Sequence, residues 1–129
     1  MMFKNPIEPE FCYQETASII IDIVERYIKE HPNENRRVDL LSSFLIANKD
    51  IHSAGRVREN IKTMFRGVSE MNTSLKNKLT KLGCTVETGR KHHKIRLNGD
   101  TRYQGTMSKT GSDRRAGDNL ASSMNRIMF

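Results

Sequence analysis

The pattern of apolar and polar positions divides the chain into two halves of different character. In the first half, apolar residues recur at intervals of three and four, which is the spacing of one face of a helix. The second half contains a stretch of strict alternation, which is typical of a β-strand with one buried face. The order of these patterns predicts an α+β chain, with an N-terminal helical segment followed by α-β-β-β-α.

Three helices are predicted in the first half. The first runs from about Tyr13 to Glu30, and its expected inward residues are Ala17, Ile20, Ile21, Val24 and Ile28. The second runs from about Arg37 to Asn48, with four inward residues: Leu40, Leu41, Phe44 and Leu45. Ser53 is expected to cap the third, whose apolar stripe precedes Gly67 and comprises Val57, Ile61, Met64 and Phe65. Residues 1–70 hold no recognisable chemical motif, which favours a helical extension or a partner-binding region.

The second half predicts a compact α+β domain over residues 71–129. Thr73 or Asn72 can cap a helix that ends at Gly83 and carries Leu75, Leu79 and Leu82 on one face. Three strands follow at Cys84–Thr88, His92–Leu97 and Thr101–Met107, with Asn98-Gly99 as a hairpin turn. A last helix, capped by Ser112, carries Ala116, Leu120, Met124 and Ile127. A three-stranded antiparallel sheet with two helices on one face buries both helix stripes.

Two adjacent histidines begin the second predicted strand. Alternation places His93 on the same face as Ile95 and Leu97, toward the helices. It places His92, Lys94 and Arg96 on the other face, which we expect to be exposed. A titratable imidazole in a row with two cations suits chemistry on a phosphodiester. The alternative is an exposed histidine that only binds.

The positive charge lies almost entirely in the C-terminal part of the chain. Residues 1–74 hold ten Lys and Arg against eleven Asp and Glu, whereas residues 75–129 hold twelve against four. Such asymmetry indicates a polyanionic partner, first of all nucleic acid. Nine side chains are candidates for binding it: Lys76, Lys78, Arg90, Lys91, Lys94, Arg96, Lys109, Arg114 and Arg115.

Several classes of protein are excluded by the composition. The longest apolar run, Ile19-Ile20-Ile21, is interrupted by Asp22, so no membrane span and no membrane partner are expected. No secretory signal is visible, which favours a cytoplasmic protein. Cys12 and Cys84 are then expected to be reduced and buried, with a single disulfide as the alternative. No Cys and His set has metal-ligand spacing, and no cofactor is expected.

The run from Leu79 to Gly99, with its glycine, its histidine and its alternating strand, resembles the HicA toxins of bacterial toxin–antitoxin pairs. Gly89 matches the family's glycine, and His92 matches the histidine assigned as catalytic. Arg90 stands where the family has serine, and residues 104–110 lack the family's proline and second histidine. The resemblance covers residues 73–129. It implies a fold like that of double-stranded-RNA-binding domains, a prokaryotic or phage source, and an mRNA interferase that needs no metal.

The implied reaction is cleavage of RNA through attack of a 2′-OH on the adjacent phosphate. His92 is the base on this hypothesis, because the ordinary pKa of histidine suits proton transfer near neutrality. RNA is the expected partner. An antitoxin-like protein or a second copy of the chain is expected to bind residues 13–67.

Two further hypotheses come from other classes. In the first, the chain is a nucleic-acid-binding module without catalysis. An example is a winged helix whose wing is Thr85–Leu97 and whose Lys76 and Lys78 face duplex DNA. Alternatively, it is an interaction or inhibitor protein that acts through its helical half.

Overall fold

The structure is a computed structural model that describes residues 7–33, 35–111 and 113–129. Within these ranges it contains five helices and three strands. The helices are α1 (Glu15–Glu30), α2 (Arg36–Ala47), α3 (Ala54–Phe65), α4 (Thr73–Lys81) and α5 (Ala116–Ile127). The strands are β1 (Cys84–Thr88), β2 (His92–Leu97) and β3 (Gln104–Ser108). The order α-α-α-α-β-β-β-α confirms the predicted α+β class.

The chain divides into two compact units, Met1–Ala54 and Gly55–Phe129. The division lies earlier than the boundary that we expected at residues 70 and 71. Almost all of α3 therefore belongs to the second unit. The unit boundary also sharpens the charge asymmetry, since residues 55–129 hold sixteen Lys and Arg against six Asp and Glu.

The two helices of the first unit begin in different ways. Helix α1 begins at Glu15 rather than at Tyr13, directly after Gln14, whose φ of 60° is outside the right-handed helical range and whose side chain makes no capping hydrogen bond. The Asn35 side chain accepts a hydrogen bond from the Val38 N–H at 3.0 Å, which starts α2 at Arg36. This bond satisfies an N–H group that has no partner inside the helix.

Only part of the apolar surface of α1 and α2 is buried. Ile21, Val24 and Val38 are buried, whereas Ile20 is 45% exposed and Leu40 is 52% exposed. The prediction that Ile20 and Leu40 face inward was therefore wrong. Neighbouring residues of a helix lie about 100° apart, so the stripe that buries Ile21 and Val24 leaves Ile20 on the outer side.

The second unit is built on an antiparallel sheet in the order β1-β2-β3. Ile95 pairs with Val86 on one side and with Gly105 on the other. Helix α4 packs against β1 and α5 packs against β3. The inner face of the unit holds the core, whose fully buried residues include Leu79, Ile95, Met107, Leu120 and Met124.

Asn72 is the cap of α4, because its side chain accepts a hydrogen bond from the Leu75 N–H at 2.9 Å. Ser112, the cap that we expected for α5, lies outside the described residues. Arg115 occupies the N-cap position of that helix. Ala116, Leu120 and Met124 of α5 are buried as predicted, and Ile127 is half-buried.

The connection between β2 and β3 is longer than the two-residue turn that Asn98-Gly99 predicted. Both residues adopt positive φ, 53° and 69°. A second turn follows, in which the Tyr103 N–H donates to the Asp100 carbonyl at 3.1 Å. The guanidinium of Arg102 binds the Asp100 carboxylate at 2.7 Å and holds the pKa of that group below its usual range. These interactions occupy residues 98–103, so β3 begins at Gln104 and not at Thr101.

Helix α3 is built into the second unit through α5. The Asn125 side chain donates to the Arg58 carbonyl at 3.0 Å, and the Arg58 guanidinium donates to the Asn125 carbonyl. The Gly117 N–H donates to the Val68 carbonyl at 2.8 Å, and a side chain at Gly117 would overlap the Phe65 and Val68 carbonyls. The apolar stripe of α3 is consequently used inside the unit, where Phe65 is fully buried.

The two cysteines are both free thiols in different surroundings. Cys84 is buried, as expected, whereas Cys12 is exposed, so the prediction that both are buried was wrong. Among the described helices, none is long and apolar enough to cross a membrane.

Candidate nucleic-acid interface

Three strand ends come together at one end of the sheet. The strand β1 ends at Thr88, β2 begins at His92 and β3 ends at Ser108. In the antiparallel register Thr88 lies opposite His93, and His92 lies opposite Ser108. We call the end of the sheet formed by Thr88, His92 and Ser108 the histidine end.

Helix α4 begins at the histidine end. It packs on β1 after only a short connection, so its first turn lies near the far end of β1, at Thr88. The N-terminus of α4 therefore adds partial positive charge at this end. Helix α5 packs on β3, where Leu120 lies against Gly105.

Backbone hydrogen bonds hold the turn that carries His92. The Gly89 N–H donates to the His92 carbonyl at 2.9 Å. A side chain at Gly89 would place its Cβ 3.3 Å from that carbonyl oxygen, which is tighter than usual contact. The Lys109 N–H donates to the Lys91 carbonyl at 2.9 Å. The turn between β1 and β2 is thus tied to the segment that leaves β3.

His92 lies on the outer face of the sheet and is exposed. Lys94, the next residue on that face, is also exposed, and its neighbours across the sheet are Glu87 and Thr106. An exposed imidazole beside an exposed ammonium group can contact the backbone of a nucleic acid without any change in the fold. The placement agrees with the face that alternation predicted for His92.

His93 lies on the inner face and is 8% exposed. Its Nδ1 is 3.0 Å from the Thr88 hydroxyl oxygen. Burial lowers the pKa of His93, and the charges of Lys76 and Lys109 lower it further. The imidazole is therefore neutral near pH 7, and the inner face of the sheet contains a polar group next to its apolar core.

The structure brings four of the nine predicted cations together at the histidine end. Arg90 and Lys91 occupy the β1–β2 turn, and Lys109 directly follows β3. Lys76 stands in the early part of α4 and is close enough to His93 to affect its pKa. The four come from three separate segments, which only the fold places together. Arg114 and Arg115 directly precede α5 and are exposed.

Three predicted cations lie elsewhere. Lys78 stands in the last turn of α4, away from the histidine end. Lys94 is in the middle of β2. Arg96 is near the opposite end, where its guanidinium pairs with Glu87 at 2.9 Å and its Nε donates to the Gln104 side chain at 2.8 Å. Since two of its donors already have protein partners and it is half-buried, Arg96 offers the least to a ligand.

Two residues at this end were missed by sequence reasoning. Thr88 contacts His93 across the β1–β2 pair, and Glu70 lies against Gly111 in the segment after β3. The pairing register of β1 and β2 could have identified Thr88, because it sets Thr88 opposite His93. No pattern in the sequence connects Glu70 with Gly111.

Cys84 does not belong to this site. It lies at the opposite end of the sheet, paired with Leu97. Burial raises the pKa of its thiol to about 11, so the nucleophilic thiolate is scarce near neutrality. Among the residues that the structure describes, no group of three or more His, Cys, Asp or Glu side chains could hold a metal ion.

Comparison of the chain with protein-family models, with curated proteins and with solved structures finds no match.

The lowered pKa of His93 predicts a loss of stability in acid. In the unfolded chain the imidazole returns to its ordinary pKa of 6.5, so the unfolded state binds more protons below neutrality. The contribution of His93 is complete above pH 6.5 and is lost as the pH falls through the pKa of the folded state. Chemical denaturation between about pH 7.5 and pH 5 should show a falling free energy of unfolding.

The His93→Gln variant separates this effect from the loss of packing. It is expected to be less stable at both pH values, but with a smaller fall between them, because glutamine does not titrate. Equal falls in wild type and His93→Gln would show that other groups cause the acid sensitivity.

Proposed function

We propose that the chain binds RNA through the histidine end and cleaves it, with His92 as the general base. The exposed imidazole of His92, between Lys94 on its own face and the cations of the neighbouring turns, is the observation that carries the proposal. The resemblance of residues 73–129 to HicA toxins supports the same reaction. The positive surplus of residues 55–129 supports a polyanionic ligand.

The proposed reaction uses the RNA's own 2′-OH as the nucleophile. The neutral imidazole of His92 takes the hydroxyl proton, and the 2′-oxygen forms a bond to the adjacent phosphorus. The bond to the 5′-oxygen breaks, and that oxygen receives a proton from the imidazolium or from water. The products are a 2′,3′-cyclic phosphate and a 5′-hydroxyl. Lys91 and Lys94, both exposed, would stabilise the charge that develops on the phosphate.

One observation disfavours the duplex-DNA alternative. That alternative needs Lys76 and Lys78 on one surface, yet residues two apart on a helix do not share a face. Lys76 is half-buried beside His93, whereas Lys78 is exposed in the last turn of α4.

The decisive variant is His92→Ala. The purified chain is expected to cleave RNA in the presence of EDTA, leaving 2′,3′-cyclic ends. Removal of the base should slow cleavage by about 10²-fold or more, while RNA affinity changes little because the surrounding cations remain. Cleavage is followed on an end-labelled RNA, and affinity is measured with a 2′-O-methylated RNA that cannot react.

His52→Ala is the matched control, because His52 is also exposed but stands in the first unit. It should cleave like wild type. Identical RNA ladders from wild type and His92→Ala would refute the catalytic proposal. If 2′-O-methylated RNA binds but unmodified RNA stays intact, the chain is a binding module without catalysis.

A second candidate function, interaction through the first unit, is favoured by exposed apolar side chains on α1 and α2. They are Ile19, Ile20, Ile23, Leu40 and Ile46. The interacting region that we expected, residues 13–67, narrows to these two helices, because the apolar stripe of α3 is buried in the second unit. We propose that the apolar surface formed by these side chains, called the apolar face below, binds a second copy of the chain or an antitoxin-like protein.

Ile23→Lys tests self-association. Ile23 is 52% exposed, so a lysine there leaves the fold intact but places a charge on the apolar face. Sedimentation of the full chain should show a concentration-dependent dimer in wild type and a monomer in Ile23→Lys. Ser43→Lys, at an exposed polar position of α2, should behave like wild type. A wild-type chain that stays monomeric at all concentrations would leave only a different protein as the partner.

A further inference from the structure

The outer face of the sheet carries a serine beside His92 that the proposed reaction does not use. Ser108, the last residue of β3, lies directly opposite His92 in the register of β2 and β3. Met107 is buried on the inner face, so alternation places the next residue, Ser108, on the outer face, where it is half-buried. The hydroxyl of Ser108 therefore shares a face of the sheet with the exposed imidazole of His92.

The backbone hydrogen bonds make Ser108 and His92 a close pair. The Lys109 N–H donates to the Lys91 carbonyl at 2.9 Å, so these two residues form a hydrogen-bonded pair of the antiparallel ladder. The neighbouring pair, His92 and Ser108, is then of the non-hydrogen-bonded kind, in which facing side chains come closer, with Cβ atoms about 5 Å apart. One ligand group can therefore contact both side chains.

A pair of the same kind at the other end of β2 shows that facing side chains on this face do meet. There the Arg96 Nε donates to the Gln104 side-chain oxygen at 2.8 Å. On the β1 side, the residue beside His92 is Gly89, whose N–H donates to the His92 carbonyl at 2.9 Å. The imidazole is thus flanked by a hydroxyl on β3 and by a glycine, which adds no side chain, on the β1 side.

The hydroxyl of Ser108 is oriented by Thr110. The Thr110 N–H donates to the Ser108 Oγ at 3.2 Å, and the Thr110 hydroxyl oxygen is 3.0 Å from the same atom. A serine hydroxyl can accept two hydrogen bonds and has one proton to donate. With the Thr110 hydroxyl as the donor of the second bond, Ser108 accepts twice. Its own proton then remains for an acceptor on a ligand.

We propose that Ser108 donates a hydrogen bond to a backbone phosphate of RNA bound at His92. The non-bridging oxygens of a phosphodiester carry negative charge, which makes them strong acceptors for a hydroxyl proton. Lys94, exposed two residues after His92 on the same face, supplies the opposite charge. The inference rests on the proposed binding of RNA at the histidine end. It does not require cleavage, because the contact is to the phosphate and not to the 2′-OH.

Hydroxyl variants of the full chain test this contact. Affinity for a 2′-O-methylated RNA is measured by fluorescence anisotropy at fixed salt. Ser108→Ala should weaken binding about tenfold, since it removes a hydrogen bond to a charged group. Ser108→Thr keeps the hydroxyl at a strand position and should bind like wild type. Thr85→Val is the matched control, because it removes a hydroxyl from the same face at the opposite end of the sheet, and it should also bind like wild type.

Phosphorothioate RNA distinguishes a contact with the phosphate from a disturbed fold. Sulfur in place of one non-bridging oxygen is a weak hydrogen-bond acceptor, and stereopure RNA places it at one known oxygen of every phosphate. With one of the two stereopure forms, Ser108→Ala should bind as tightly as wild type, whereas the two should differ about tenfold on the oxygen form. A variant that only disturbs the segment after β3 should lose the same factor on every RNA.

The outcomes separate this contact from the proposed function. Equal affinities of wild type and Ser108→Ala, or an equal loss on the oxygen form and both sulfur forms, would overturn the inference while RNA binding stands. A loss that one sulfur form abolishes, in a chain that leaves unmodified RNA intact, would retain the Ser108 contact and reject only the catalytic role of His92. No binding of RNA by wild type would reject the proposed function, and the Ser108 contact with it.

Discussion

The antiparallel register of the three strands is the constraint on which the functional surfaces depend. It sets His92 opposite Ser108 and His93 opposite Thr88. Because side chains alternate, one imidazole faces solvent and the other faces the helices. A shift of one residue would exchange the two histidines and would expose Ile95. Burial of Ile95 and Leu97 under the helices therefore determines that His92 is exposed and that His93 is buried.

The same register decides where the charge collects. Helix α4 runs back along β1, so its N-terminus reaches the end where His92 begins β2. The positive groups there come from segments that are distant in the sequence. The carboxylate of Glu87 pairs with Arg96, farther along the sheet. The histidine end thus combines a helix dipole with lysines and an arginine, which is the electrostatic arrangement that phosphate ligands favour.

The sequence was informative where structure follows from local pattern. Alternation predicted β1 and β2 at their observed residues, and it placed His92 outside and His93 inside. The misses have one local and one non-local cause. A side-chain clamp at Asp100 delays β3, and the packing of α3 on α5 assigns that helix to the second unit. The proximity of Lys76 and Lys109 to His93 arises only from folding, because no spacing in the chain links these three positions.

Chemical-shift mapping of a 2′-O-methylated RNA onto the isotope-labelled full chain tests the central claim most directly, because it locates the bound backbone without requiring cleavage. Binding through the histidine end predicts the largest changes at residues 88–94 and 107–111 and in the first turn of α4. Changes confined to α1 and α2, or to the opposite end of the sheet around Cys84 and Leu97, would contradict it.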